Sequence, residues 1–181
     1  MRKLGLLLIV LVAFNKLHAQ EINWMTINEA LEAQKEEPKK IFMDAYANWC
    51  GPCKLLDRET FSHKDVIAYI NEHYYPVKFN AEGDETVRYA DREFTNPNYD
   101  PARAKSRNSQ HQFAQALGVN SYPTMIFFDE EGRLLGPVLG FQEPRDLEVF
   151  LKFFSEDMYK EITDSEEFLK YQWKFKHSFA K

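Results

Sequence analysis

The chain has 181 residues, with 23 Lys and Arg against 28 Asp and Glu, a net charge of −5 at pH 7. Apolar residues make up 44% and aromatic residues 15%, with only 7 Gly and 8 Pro, which excludes collagen-like, low-complexity and wholly disordered classes. The acidic balance also excludes a nucleic-acid partner, because neutralising phosphates needs clustered basic charge.

Arg2 and Lys3 precede an uninterrupted non-polar run from Leu4 to Phe14, with Ala19 before Gln20, the layout of a cleavable signal peptide over residues 1–19. At about 1.5 Å per residue that run reaches about 16 Å, half of a hydrocarbon core about 30 Å thick, so no stable membrane anchor is expected. The remainder is expected to be exported, to the periplasm if the source is a diderm bacterium. Thr26 and Glu29 form a capping-box pattern ahead of a helix through about Lys35, and Pro38 closes the turn after it. Ile41, Phe42 and Met43, running into Asp44, Ala45 and Tyr46, predict a buried central strand. A helix follows from Cys50 to about Thr60. A second restarts at Ser62 to Asp65 with Val66, Ile67 and Ile70 on one face, and Tyr74 to Asn80 is the next strand.

Residues 81–109 are polar and turn-rich and read as an excursion from the core, with a short helix at Glu85 to Phe94. Gln110 to Leu117 predicts a helix ended by Gly118. Thr124 to Asp129 and Arg133 to Leu139 predict two strands around a turn containing Glu131 and Gly132. Pro144 opens a helix whose Leu147, Phe150, Leu151, Phe154 and Met158 form one apolar stripe. A final helical segment starts at an Asp164 and Glu167 capping pair and carries Phe168, Leu169, Trp173 and Phe175. The division expected is a domain over residues 20–155 and a helical extension over 156–181.

Only two cysteines exist, Cys50 and Cys53, with two residues between them. A bridge closing so small a loop removes little chain entropy, so its value is chemical rather than structural. A Cys at a helix N-terminus is stabilised as a thiolate by unpaired N–H groups and the helix dipole, which makes Cys50 the candidate nucleophile. Cys53, one turn further on and buried, would resolve the mixed disulfide. Pro52 fits a first helical turn, and Gly51 leaves access to the sulfur. Zinc is the competing reading of such a pair, but no second Cys pair or paired His motif supplies four ligands, so no metal and no cofactor is expected. His63, His73, His111 and His177 lie at no ligand spacing and read as surface or satisfied structural residues. The charged run Glu32 to Lys40 reads as a solvated face. The aromatic and Lys-rich tail reads as packing on its own domain rather than on a membrane surface.

Trp49, Cys50, Gly51, Pro52, Cys53 and Lys54 resemble the active-site motif of the thioredoxin family, and Ser121, Tyr122, Pro123 and Thr124 resemble its cis-proline loop. The resemblance covers about residues 25–155. It extends to exported thioredoxin-like proteins and to the C-terminal domain of bacterial transmembrane thiol reductases. It implies a central mixed sheet with helices on both faces, while the 81–109 insertion and the C-terminal helical extension depart from the family's minimal pattern. Asp44 falls at the family's buried carboxylate, which desolvation would tune to take a proton from Cys53. Lys78 resembles the companion lysine and Gly140 the glycine after the hairpin. A cis Pro123 would leave the preceding backbone free to pair with an extended substrate, framed by Trp49 and Tyr122. The implied function is thiol–disulfide exchange on exported proteins in the reducing direction, with protein disulfides as substrates and a membrane thiol reductase as electron donor. The opposite direction, as oxidase or isomerase, and a binding module with an incidental dithiol are the other readings.

Overall fold

The computed structural model describes residues 21–180, so the signal-peptide reading lies outside the described residues. In chain order the elements are α1 (Ile27–Glu36), β1 (Lys40–Tyr46), α2 (Gly51–Glu59), α3 (Lys64–His73), β2 (Tyr74–Asn80), β3 (Val87–Tyr89) and β4 (Arg92–Phe94). They continue with α4 (Gln112–Ala116), β5 (Thr124–Phe128), β6 (Leu134–Leu139), α5 (Pro144–Ser155) and α6 (Ser165–Lys174). Four strands form one mixed sheet in the order β2-β1-β5-β6. β1 runs parallel to β2, with Asp44 opposite Lys78, and antiparallel to β5, which pairs antiparallel with β6.

Side chains alternate across this sheet, as the period of two in a strand requires. Phe42, Met125 and Phe127 point to one face, where Leu56 of α2, Val66, Ile67 and Ile70 of α3, and Leu147 and Leu151 of α5 cover them. Ile41, Met43, Ala45, Ile126 and Phe128 point to the other, against Ile27 and Ala30 of α1 and Phe113 of α4. Both faces are therefore packed, which explains why β1 and β5 read as continuous apolar runs. Asp44, two residues from Phe42, follows the same alternation onto the face covered by α2.

Three expectations are corrected. Glu85 to Phe94 is not a helix: β3 and β4 pair as a hairpin, Val87 with Phe94 and Tyr89 with Arg92. Its two-residue turn puts Ala90 at φ 50° and Asp91 at φ 57°, the left-handed pair whose backbone twist matches the strands. Val87 and Phe94 are buried with Phe113, so the hairpin completes the core beside α1. The run Glu32 to Lys40 is not wholly solvated. Lys40 is buried and ion-paired to Glu130 and Asp157, and Gln34 donates from Nε2 to the carbonyls of Lys39 and Asp129. The stripe ending in Met158 is not one helix: α5 stops at Ser155, and Met158 packs on the core from a 3₁₀ turn.

The tail folds onto its own domain through one side of α6. Phe168 lies 4.8 Å from Phe153 and 5.5 Å from Phe150, ring centre to ring centre. The last described residues are fastened by the buried Glu148 of α5, which accepts from Lys152 Nζ at 2.8 Å, from the Ser178 amide at 2.7 Å and from the Phe179 amide. Burial opposes ionisation of Glu148, but these donors overcome it and hold its carboxyl down at about 2. Leu169 and Trp173, on the other side of α6, remain exposed.

Candidate active site

β1 ends at Tyr46 and delivers Ala47–Cys50 to the start of α2. Cys50 is the N-cap, with extended backbone at φ −69° and ψ 109°, and its Sγ accepts from the Cys53 amide at 3.1 Å. One of the orphan donors of the helix terminus thus already points at sulfur. Pro52 occupies the first turn, where a missing N–H costs no hydrogen bond. Cys50 and Cys53 are joined in a disulfide. Each is only 2% exposed, so in this oxidised state access does not separate nucleophile from resolving residue, contrary to the expectation of an open Cys50. Gly51 and Pro52 are exposed, and a Cβ placed on Gly51 would meet nothing within 4 Å.

Around the disulfide pack Ala47, Tyr46, Trp49 and Tyr122. Trp49 and Tyr122 meet edge to face with ring centres 5.9 Å apart, and the Tyr122–Pro123 peptide is cis. Gly140 follows β6 at φ 78° and donates its amide to the Pro123 carbonyl. The sequence-derived residues Cys50, Gly51, Pro52, Cys53, Trp49, Tyr122 and Pro123 therefore come together at one end of the sheet.

Asp44 and Lys78 form a separate charged group. Asp44 is fully buried, 2.7 Å from Lys78 Nζ, yet neither carboxylate oxygen has a well-directed hydrogen-bond donor. Lys78 also pairs with Asp57 of α2, so it bridges the strand layer to the helix that carries the cysteines. The rings of Trp24, Tyr46 and Phe61 surround its ammonium at 4.9–5.2 Å. Desolvation raises the Asp44 carboxyl, Lys78 offsets part of that, and the result is a group pushed up to about 6. For Lys78, burial favours loss of the proton, but Asp44 and Asp57 reverse this and hold it above its ordinary value.

Sequence reasoning missed the partners that the excursion supplies. Glu82 accepts from Trp49 Nε1 at 2.7 Å and from the Asn108 amide at 2.8 Å. Burial, reinforced by Glu82, pushes the Tyr122 hydroxyl up to about 12. Asn48 donates to the Ala104 carbonyl at 2.7 Å, and the Arg107 guanidinium lies 4.1 Å from the Trp49 ring centre. The excursion is thus packed against the motif, braced by buried Asn96, which donates to the carbonyls of Gly83 and Ser109. Among the described residues, no group of three or more His, Cys, Asp or Glu is arranged to hold a metal ion. His111, fully buried, accepts the Phe113 amide at Nδ1 and pairs Nε2 with the Glu85 carbonyl, a structural role.

Residues 27–155 match the family model described as a thioredoxin-like domain. The chain belongs to the thioredoxin-like family. It is 26% identical over 135 residues to the thiol:disulfide interchange protein DsbD of Pectobacterium atrosepticum, covering 74% of this chain and 19% of that protein. The thioredoxin of Mycoplasmoides gallisepticum is 28% identical over 114 residues, covering 63% of this chain and 83% of the relative. This thioredoxin-like chain spans less than a fifth of the length of the DsbD proteins that it matches. Its fold is similar to that of a thioredoxin from Thermus thermophilus, with TM-score 0.54 and 12% identity, covering 74% of this chain and 87% of that one. With its close cysteine pair, the site is like that of a thioredoxin-fold thiol–disulfide oxidoreductase.

Proposed function

We propose that this protein reduces disulfides in exported proteins. The observation that carries the reading is Cys50 at the N-cap of α2, bridged to Cys53, with the Cys53 amide already directed at its sulfur. In the reduced protein the Cys50 thiolate attacks one sulfur of a substrate disulfide, forms a mixed disulfide and expels the other sulfur as a thiolate. Cys53 then loses its proton to Asp44, attacks Cys50 Sγ and releases the second substrate thiol. Two electrons pass to the substrate, and the protein is left as the disulfide. Asp44 suits this task because its carboxyl, held at about 6, is largely the base form near neutrality. Lys78 keeps that carboxyl from rising further. Trp49, Gly51, Pro52, Tyr122 and Pro123 form the surface on which an extended substrate strand lies.

In this reading residues 1–19 direct export, residues 20–155 perform exchange, and residues 156–181 are a helical extension packed on the domain. Electrons come from a membrane thiol reductase. No helix among the described residues is long and apolar enough to cross a membrane. Support for the reducing direction comes from Gly51 and Pro52 between the cysteines and from the likeness to DsbD.

Equilibration against thiol buffers tests the direction. The scale runs from about −270 mV for thioredoxin to about −120 mV for a strong oxidant. A potential near the low end is expected, and one near the high end makes this an oxidase or isomerase. Cys53→Ser should accumulate mixed disulfides through Cys50, seen as higher bands on non-reducing gels that dithiothreitol removes. Exchange that persists in Cys50→Ser overturns the nucleophile assignment.

A further inference from the structure

The loop docked against the active-site motif carries Arg103, Lys105 and Arg107, three cations in five residues, all exposed. None makes an ion pair with another side chain among the described residues, unlike the cations Lys78, Lys40 and Lys152, which are drawn into the interior by carboxylates. From Pro101 to Phe128 the chain contains no Asp or Glu, although 28 of its 181 residues are acidic. That acid-free stretch runs from this loop through Tyr122 and Pro123. Two carboxylates lie close by, Glu82, which accepts from Trp49 and Asn108, and Asp100, which caps the 3₁₀ turn at Ala102, and neither is ion-paired with the loop's three cations.

The loop's place is set by contacts that do not use its charges. Ala104 accepts from Asn48, two residues before Cys50, and Asn108 exchanges hydrogen bonds with the Asp100 backbone at 2.8 and 3.0 Å. Arg107 covers the ring of Trp49, the residue before Cys50. Two residues of chain span at most about 7 Å. A polypeptide held at Cys50 therefore lies beside this loop, well inside the Debye length of about 30 Å at low ionic strength, where exposed charges act on one another. A positive patch beside the reacting atoms of an otherwise acidic protein attracts one class of substrate and repels its opposite.

We infer that Arg103, Lys105 and Arg107 select substrates, favouring polypeptides whose disulfide is flanked by Asp or Glu. The inference rests on the exchange reading above and specifies its substrate class. Arg103 and Lys105 act by charge alone, whereas Arg107 also holds Trp49.

The test uses the pre-reduced protein in single turnover with three disulfide-bonded peptides that differ only in flanking residues: acidic, neutral or basic. At low ionic strength the acidic peptide should be reduced about tenfold faster than the basic one, with the ratio shrinking in 0.5 M salt. In Arg103→Gln with Lys105→Gln, the ratio should fall to within about twofold of unity while the neutral peptide keeps its rate. This variant leaves Arg107 and the backbone contacts in place. Equal rates on all three peptides, or a preference that survives the double substitution, overturn charge selection alone. Failure to reduce any of the three overturns the exchange reading, and charge selection with it.

Discussion

Replacing Asp44 with Asn isolates the cost of its burial. The carboxyl has an ordinary value of 3.8 in the unfolded chain and about 6 in the folded one, a difference of about two units. At 1.36 kcal/mol per unit, this amounts to about 3 kcal/mol. A raised carboxyl means that between these values the folded state holds a proton that the unfolded state has released. Stability therefore falls as pH rises from about 4 to about 6 and is level above about 7. The Asn variant lacks this decline. Its loss of the Lys78 contact adds an offset that stays constant across the window, because the Lys78 ammonium, held above its ordinary value, remains charged throughout. Urea unfolding of the disulfide-intact protein at pH 3.5 to 8, wild type against Asp44→Asn, reads the difference directly. The wild type should lose about 3 kcal/mol relative to the variant between pH 4 and 7. A difference that stays flat, or that grows in favour of the wild type with rising pH, refutes the reasoning, since the Lys78 pair would then outweigh desolvation.

Two further outcomes follow from the packing. Ala90 and Asp91 occupy left-handed backbone in the β3–β4 turn, so Asn-Gly in their place should stabilise the protein by about 1 kcal/mol, seen as a raised urea midpoint. Glu148→Ala strips the half-buried Lys152 and the amides of Ser178 and Phe179 of their acceptor, which should cost about 3 kcal/mol at neutral pH and open the tail to trypsin at Lys174 and Lys176. The contribution of Glu148 to wild-type stability should fall away as pH drops from about 4.5 to about 2, read by urea unfolding against Glu148→Ala.

What the sequence disclosed and what it hid divide along the range of the interactions. The strand Tyr74–Asn80, the cap at Thr26 and the cysteine-bearing helix depend on periodicity and on partners a few residues away, and their local patterns carried them. Lys40 depends on Glu130 and Asp157, some ninety and more residues distant, and nothing in the run Glu32 to Lys40 separates a buried lysine from solvated ones. The hairpin was hidden for another reason: its turn is Ala-Asp, without the Gly or Asn that normally marks left-handed pairs. At the site, Cys50, Cys53 and Pro123 stand in compact motifs, but Glu82, Asn48 and Arg107 became legible only once folding brought the excursion to Trp49.

The excursion itself has two tiers with different fates. Its first tier, the hairpin, is part of the core and cannot be removed without exposing Phe113. The second tier is pinched at its neck, where the Gln112 amide donates to the Thr95 carbonyl and the Thr95 amide to the Gln112 side chain. With both ends tied together, lengthening what lies between them costs only about 0.6 kcal/mol per doubling. Inside the bracing Asn96 and the buried His111, the exposed stretch 97–107 is the part of the chain that can change: a different loop there would set other side chains beside Trp49, and so alter the clients while the cysteine pair stays the same.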